Sequence, residues 1–266
     1  MSRSDPDRKQ LLEHIVAALQ PLDFIHAVWE AGSIAFGRND QWSDIDLYIV
    51  VNDDKVEDVF ATLDGLFGER YGIELKFRLP EPTWHGHSQA FYRLKNISPY
   101  CFIDAAVMKL SSKDKFLQYK IHGAPVIHFD KKGIVKDDPV NDQNLLIRIK
   151  KRLEVLKTTF PLFQVLINKE LNRKRYVEAY AFYQGSVIRP LVEILRIKYS
   201  PFHFNFHVSY AFLELPEDVY KRLQDFIYIK DHEDLARKQL KADEWFWDVY
   251  NSIKPDDIVE ILNSVK

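Results

Sequence analysis

The sequence predicts an α+β fold followed by an all-helical region, and three observations carry that prediction. Over the first half, short runs of β-formers alternate with helical periodicity. After about residue 139 the strand patterns stop. Between the halves, Lys131-Lys132-Gly133 and Lys136-Asp137-Asp138-Pro139 read as a connection. The expected organisation is a mixed β-sheet with flanking helices over residues 1–135, then a C-terminal helical bundle over 136–266.

The elements follow in order. Residues 6–19 read as a helix, with Leu11, Leu12, Ile15, Val16 and Leu19 on one face. A strand is expected near 24–30. Val56, Val59, Phe60, Leu63 and Leu66 share a face of a helix over 56–66. Strands are expected near 73–79, 91–97, 100–108 and 126–129. Pro80-Glu81-Pro82-Thr83-Trp84-His85-Gly86-His87 reads as a loop between two of them. In the second half, helices are expected over 141–157, 176–199, 216–229, 233–250 and 256–265.

Composition narrows the classes. The chain has 266 residues, enough for one large or two modest domains with ample core. A formal net charge of −2 gives no basic excess that would point to nucleic acid. The single cysteine, Cys101, excludes an internal disulfide framework. No apolar stretch is long enough to cross a membrane, and the polar start Met1-Ser2-Arg3-Ser4-Asp5-Pro6 is unlike a signal peptide. A cytoplasmic protein is the expectation.

The chemistry concentrates in one stretch. Gly32-Ser33 is followed, ten residues on, by Asp44-Ile45-Asp46 at the head of an apolar strand. Side chains alternate along a strand, so Asp44 and Asp46 point to one side, roughly 6 to 7 Å apart along the backbone. Two neighbouring carboxylates repel each other and call for a counter-charge. Mg²⁺, a hard ion held by one or two carboxylates plus substrate phosphates, is the natural one. Gly32 permits a tight turn, and Ser33 is expected as the N-cap of a short helix whose free N–H groups form an anion site. Gly37 is expected to end that helix, and Arg38 lies within reach of a bound phosphate.

At these residues the chain resembles the nucleotidyltransferase superfamily of the DNA polymerase beta type. That pattern is an apolar residue, Gly-Ser, a spacer of about ten, Asp-x-Asp, and later a third acid on another strand. Asp104, flanked by Ile103 and Ala105 in an apolar run, is the preferred third acid, because a carboxylate in such a run is costly unless compensated. Glu74 is its rival, although Glu74, Lys76 and Arg78 alternate like an ordinary half-exposed strand. The arrangement as a whole is also similar, more loosely, to aminoglycoside-type adenylyltransferases, whose helical domain completes the acceptor site.

The resemblance implies a transferase in which an acceptor hydroxyl attacks the α-phosphate of a nucleoside triphosphate and releases pyrophosphate. ATP is the donor by family habit. Asp44, Asp46 and Asp104 hold two Mg²⁺ ions, or Asp104 takes the acceptor's proton. Gly32 and Ser33, with Arg38, hold the β- and γ-phosphates. The acceptor is a small hydroxylated molecule, aminoglycoside-like at its most specific. Transfer to a protein in a toxin–antitoxin setting, and a non-catalytic binding module, are the alternatives.

Other candidates are weaker. His85 and His87 lack the companion ligands of a zinc site. Lys198 and His203 lie in an aromatic segment that, by the resemblance, contacts phosphates, and aromatic packing is the simpler reading. Arg196 and His203 also resemble the Arg–His pair of small helical ribonuclease toxins, at a spacing a little long for it. Tyr176, Tyr180, Tyr183 and Arg189 are expected to be core or interface rather than a stacking platform.

Overall fold

The structure is a computed structural model that describes residues 5–264. The expected helix end at Val265, and Met1 to Ser4, lie outside the described residues. The chain divides into two compact units, residues 1–139 and 140–266.

The first unit is a mixed sheet with helices. Helix α1 (Asp5–Leu19) leads into β1 (Ile25–Glu30), a five-residue 3₁₀ turn (Gly32–Phe36) and β2 (Ile45–Val51). Helix α2 (Val56–Arg70) precedes β3 (Ile73–Arg78), β4 (Ser88–Leu94) and β5 (Ile103–Lys109). A short α3 (Tyr119–His122) and β6 (Val126–Asp130) complete the unit. The strand order is β3-β4-β5-β2-β1-β6. Only the central β5/β2 pair is parallel among the described strands.

Each face of this sheet has its own cover. Ile45, Leu47, Ile49 and Val51 of β2, with Ile103, Ala105 and Val107 of β5, bury against Leu11, Ile15 and Leu19 of α1 and Val59, Phe60, Leu63 and Phe67 of α2. On the other face, Trp29, Val50, Ala106 and Met108 pack with Leu117 and Val135. That second cover reaches the C-terminal ends of β2 and β5. The residues of their N-terminal ends on this face, Asp46 and Asp104, are only partly buried.

Strand register corrected two boundaries. Residues 88–94 form the strand expected at 91–97, and β5 starts at Ile103 rather than at residue 100. In β4 the buried positions are Ser88, Ala90, Tyr92 and Leu94, and the polar Gln89 and Arg93 lie between them. This alternation starts immediately after the stretch whose Pro, Gly and His residues suggested loop.

The second unit is helical. Its elements are α4 (Asp142–Asn172), α5 (Tyr176–Tyr183), a π-helical turn (Gln184–Ile188), α6 (Arg189–Tyr199), a 3₁₀ turn (Pro201–His203), α7 (Ala211–Glu214), α8 (Glu217–Ile227), α9 (His232–Ser252) and α10 (Pro255–Ser264). Helix α4 starts where Asn141 caps it, its side chain accepting from the Asn144 N–H at 2.9 Å. It runs fifteen residues beyond the expected end, through Pro161 (157 to 172). Burial of Phe160, stacked on Phe246 with centroids 3.7 Å apart, and of Ile167 offsets the lost hydrogen bond. The run expected as one helix over 176–199 is interrupted by the π turn just before Pro190. A wider turn relieves the clash between a proline ring and the carbonyl four residues back.

Arg196 has no accessible side chain. Its guanidinium donates to Glu214 Oε2 at 2.7 Å, to the His207 carbonyl at 2.5 Å and to the Ser209 carbonyl. Glu214 Oε1 meets His203 Nδ1 at 2.9 Å, and Glu214 Oε2 also accepts from the Ser200 hydroxyl at 2.9 Å. Arg196 therefore ties down the irregular segment between α6 and α8. This network, not ribonuclease chemistry, accounts for the Arg–His spacing. Lys198 donates to the Ser252 hydroxyl at 2.9 Å, tying α6 to α9. Tyr183 is buried and donates to the Phe226 carbonyl at 2.8 Å.

Removing one partner of a buried pair strands the other charge. Arg196→Met is expected to lower unfolding free energy by about 3–5 kcal/mol in urea titrations. The double variant Arg196→Met/Glu214→Leu is expected to recover much of that loss.

Candidate active site

The site begins with the parallel pairing of β2 and β5. Asp46 of β2 is the register partner of Asp104 of β5. Adjacent strands lie about 4.8 Å apart, so the two carboxylates leave the same face side by side. Asp44 stands one residue before β2, at the mouth of the same two strands. Glu74, the rival third acid, is on β3, two strands away from β5 in the sheet order. It forms a two-point ion pair with Arg93, both bonds at 2.9 Å, on exposed surface. Among the sequence-derived candidates, the fold brings Asp44, Asp46, Asp104 and Gly32 together and leaves Glu74 apart.

The Gly32 turn closes on Asp46. The Ala31 N–H donates to the Asp46 carbonyl at 2.9 Å, so the chain leaves β1 alongside the acid. Gly32 then takes a φ of +63°, and a Cβ built on it would lie 1.6 Å from Asp46 Oδ2. No other residue fits: the carboxylate occupies the volume a side chain would need, and the backbone is left-handed. The turn differs from the expectation in one respect. It is a five-residue 3₁₀ turn with Ala31 in the capping position and no side-chain cap, so Ser33 is not an N-cap. The hydrogen-bonded turn is counted from Gly32, which puts Ser33 inside it. So short a turn has no appreciable macrodipole, and what it offers an anion is local N–H groups and a hydroxyl. Gly37 does end it, its N–H donating to the Ile34 carbonyl at 3.0 Å. The Arg38 guanidinium lies over the Phe36 ring, 4.7 Å from its centroid.

The acids are electrostatically crowded. Burial pushes the Asp46 carboxyl up to about 7, helped by the charges of Asp44, Asp104 and Glu30 and opposed by Arg8. Burial likewise pushes Asp104 up to about 6, with Asp44 adding to the rise and a hydrogen bond from Gln89 opposing it. Arg8 of α1 is the nearby cation. It donates to Glu30 Oε2 at 2.5 Å and to the Asp44 carbonyl at 3.4 Å, and Glu30 Oε1 meets His128 Nε2 at 3.2 Å. Glu30 is buried and holds Arg8, so the cation answers to it first.

Sequence reasoning missed the support of Asp104. Gln89 Nε2 donates to Asp104 Oδ1 at 2.6 Å, and Gln89 Oε1 meets His85 Nε2 at 2.9 Å. The direction of this chain is fixed from its far end. The His87 backbone N–H donates to His85 Nδ1 at 3.2 Å, so that nitrogen is the acceptor and Nε2 of the neutral ring carries the proton. His85 then donates to Gln89, and Gln89 donates to Asp104. A neutral amide steadies one oxygen of the acid without adding a fourth negative charge. The only sequence signal was the alternation that puts Gln89 on the same face as Asp104. His87 is buried against Phe116, with centroids 5.1 Å apart, and its own pKa is lowered mainly by that burial. The histidine pair is thus built into the site's wall.

The donor set suits a hard divalent ion in kind: three carboxylates that repel each other, each partly buried. Among the described residues, no three His, Cys, Asp or Glu side chains form a ready-made metal cage. Mg²⁺ does not require one, because it keeps water and takes substrate phosphate oxygens beside one or two carboxylates.

The sequence matches no protein-family profile and no curated protein. Solved structures similar to it include an aminoglycoside 6-adenyltransferase from Bacillus subtilis, 12% identical over 96% of this chain and 96% of that chain, with a TM-score of 0.35. A GLD-2/RNP-8 complex is 10% identical over 84% of this chain and 76% of that chain, with a TM-score of 0.32. A STING-associated CdnE c-di-GMP synthase from Capnocytophaga granulosa is 12% identical over 93% of this chain and 82% of that chain, with a TM-score of 0.31.

Two outcomes are expected from this geometry. Carboxyls with raised folded-state pKa values stabilise the fold fully below their ordinary value near 4, and that contribution is lost as pH rises through 6 and 7. Thermal melts in chelator should therefore show stability falling from pH 4 to pH 8, with a flatter profile in Asp46→Asn. Gly32→Ala is expected to cost more than about 1 kcal/mol in denaturant titrations, because alanine is strained at this φ and displaces the Asp46 carboxylate.

Proposed function

We propose that the protein is a Mg²⁺-dependent nucleotidyltransferase that transfers a nucleoside monophosphate, AMP from ATP, to a hydroxyl of a small molecule. One observation carries this reading: Asp46 and Asp104 stand in register on adjacent parallel strands, with a left-handed glycine turn closed onto the Asp46 carboxylate. That is a carboxylate pair beside a backbone anion cradle, the two devices that phosphoryl transfer needs.

Asp44, Asp46 and Asp104 are the residues that would hold the metal. Bound Mg²⁺ supplies charge neutralisation and polarisation of the phosphoryl oxygens. The backbone N–H groups at Gly32 and Ser33, with the Ser33 hydroxyl, orient the β- and γ-phosphates, and Arg38 swings from Phe36 to join them. Arg8 limits the repulsion around Asp46 from the opposite face of the sheet. Gln89 holds Asp104 Oδ1, which leaves Oδ2 to accept the acceptor's proton or to bind metal. The acceptor oxygen attacks the α-phosphorus in line with the departing pyrophosphate.

Incubation with α-³²P-labelled ATP, Mg²⁺ and a panel of hydroxylated small molecules tests the reading. The expected result is a labelled product and one pyrophosphate per transfer, both abolished in Asp46→Asn and restored in neither by added salt. A wild-type protein that neither binds Mg²⁺–ATP nor releases pyrophosphate above the Asp46→Asn control would overturn it.

A further inference from the structure

The sheet face that carries the acids continues past them as an aromatic shelf. Register partners run straight across four strands: Phe77 of β3 opposite Phe91 of β4, Phe91 opposite Asp104 of β5, and Asp104 opposite Asp46 of β2. Opposed residues share a face, so this is one row of two rings followed by two acids. Phe77 and Phe91 lie parallel, with centroids 6.3 Å apart and planes 9° apart. Phe91 and Phe102 are also stacked, at 5.6 Å and 19°. With Leu75, Pro99 and Arg93 they line a groove of about 480 Å³. Phe77 and Leu75 are each 57% exposed and lie together in this groove, an apolar patch rather than scattered single residues.

We propose that this shelf is the acceptor subsite, and that the acceptor carries its hydroxyl on or beside a flat, uncharged ring. The inference rests on the nucleotidyl-transfer reading above and adds the substrate class. In-line displacement requires the attacking oxygen and the leaving pyrophosphate on opposite sides of the α-phosphorus. The triphosphate tail lies at the Gly32 turn, at the Asp46 end of the row. The attacking hydroxyl therefore comes from the Asp104 end, and the next residue beyond Asp104 is Phe91, one strand spacing of about 4.8 Å away. The new bond joins the acceptor oxygen to the α-phosphorus. The bond from that phosphorus to the bridging oxygen breaks, pyrophosphate leaves with the electron pair, and the hydroxyl proton passes to the Asp104 carboxylate.

The groove's chemistry favours a ring over a polycation. Its one cation, Arg93, is paired with Glu74, and its walls are otherwise apolar. A polycationic sugar would need carboxylates where the rings stand. The volume falls within the range of small-molecule sites, and six lining residues are far fewer than the 20–30 per side of a stable protein interface.

Saturation-transfer NMR on the full chain, with Mg²⁺ and a non-hydrolysable ATP analogue, tests the subsite with three probes: tyrosol, adenosine and kanamycin. Tyrosol and adenosine carry the same chemistry from two sources, and the tighter of them identifies which the shelf takes. Ring binding is expected to weaken about fivefold or more in Phe77→Ser, the loss of one stacked aromatic contact, and to return in Phe77→Trp. Kanamycin is expected not to compete. The proposal is overturned if neither ring probe saturates, if Phe77→Ser binds them as wild type does, or if kanamycin displaces them. It is also overturned if sedimentation shows a dimer that Phe77→Ser converts to monomer, since a second copy would then cover the shelf. Asp46→Asn separates the two readings: it should stop pyrophosphate release while ring binding stays. Ring binding that follows Phe77 in a protein with no transfer activity would leave the subsite standing and sink the transfer reading.

Discussion

The parallel pairing of β2 with β5 is the constraint on which the rest of this molecule depends. It is the only parallel contact in the described sheet, and its register sets Asp46 opposite Asp104. A slip of one residue would turn one of the acids into the apolar layer formed with α1 and α2, where an ionised carboxylate has no partner. The same burial that fixes Ile45, Leu47, Ile103 and Ala105 on one face thus forces the acids together on the other. Hydrophobic packing supplies the free energy that holds two like charges side by side.

Around that pair, each neighbour limits a cost. Gly32 surrenders its side-chain volume to the Asp46 carboxylate. Gln89 offers Asp104 a neutral donor, with His85 and the His87 backbone setting its orientation. Arg8 supplies a positive charge from α1 but is shared with Glu30. Burial first, and then the neighbouring acids, keep both carboxyls shifted upward. Under the proposed function, a divalent cation would supply the missing counter-charge.

Much of the fold was legible because burial is one-sided and periodic. The stripe along α1, the stripe along α2 and the apolar run of β2 each pointed to their element. What escaped followed from other physics. The extension of α4 through Pro161 depends on Phe160 and Ile167 finding partners in the bundle, which local pattern does not report. The π turn before Pro190 is a steric adjustment inside an unbroken apolar stripe. Strand β4 lay partly hidden because its first residues follow a stretch rich in Pro, Gly and His. Arg196 and His203 invited a chemical reading by their spacing, yet they close a buried network with Glu214.

The sequence by itself determined the two acids of Asp44-Ile45-Asp46, the glycine before them and the alternation that sends Asp46 to the face opposite Ile45 and Leu47. These are local properties, set by covalent geometry and a period of two. Tertiary structure decided which distant residues join them, because strand order and register are long-range outcomes of packing both sheet faces at once. It chose Asp104 over Glu74 as the neighbour of Asp46, placed Gln89 and His85 behind it, and lined Phe91 and Phe77 up beyond it. None of those relations can be read from spacing, since nothing in the order of residues states which strand lies beside which.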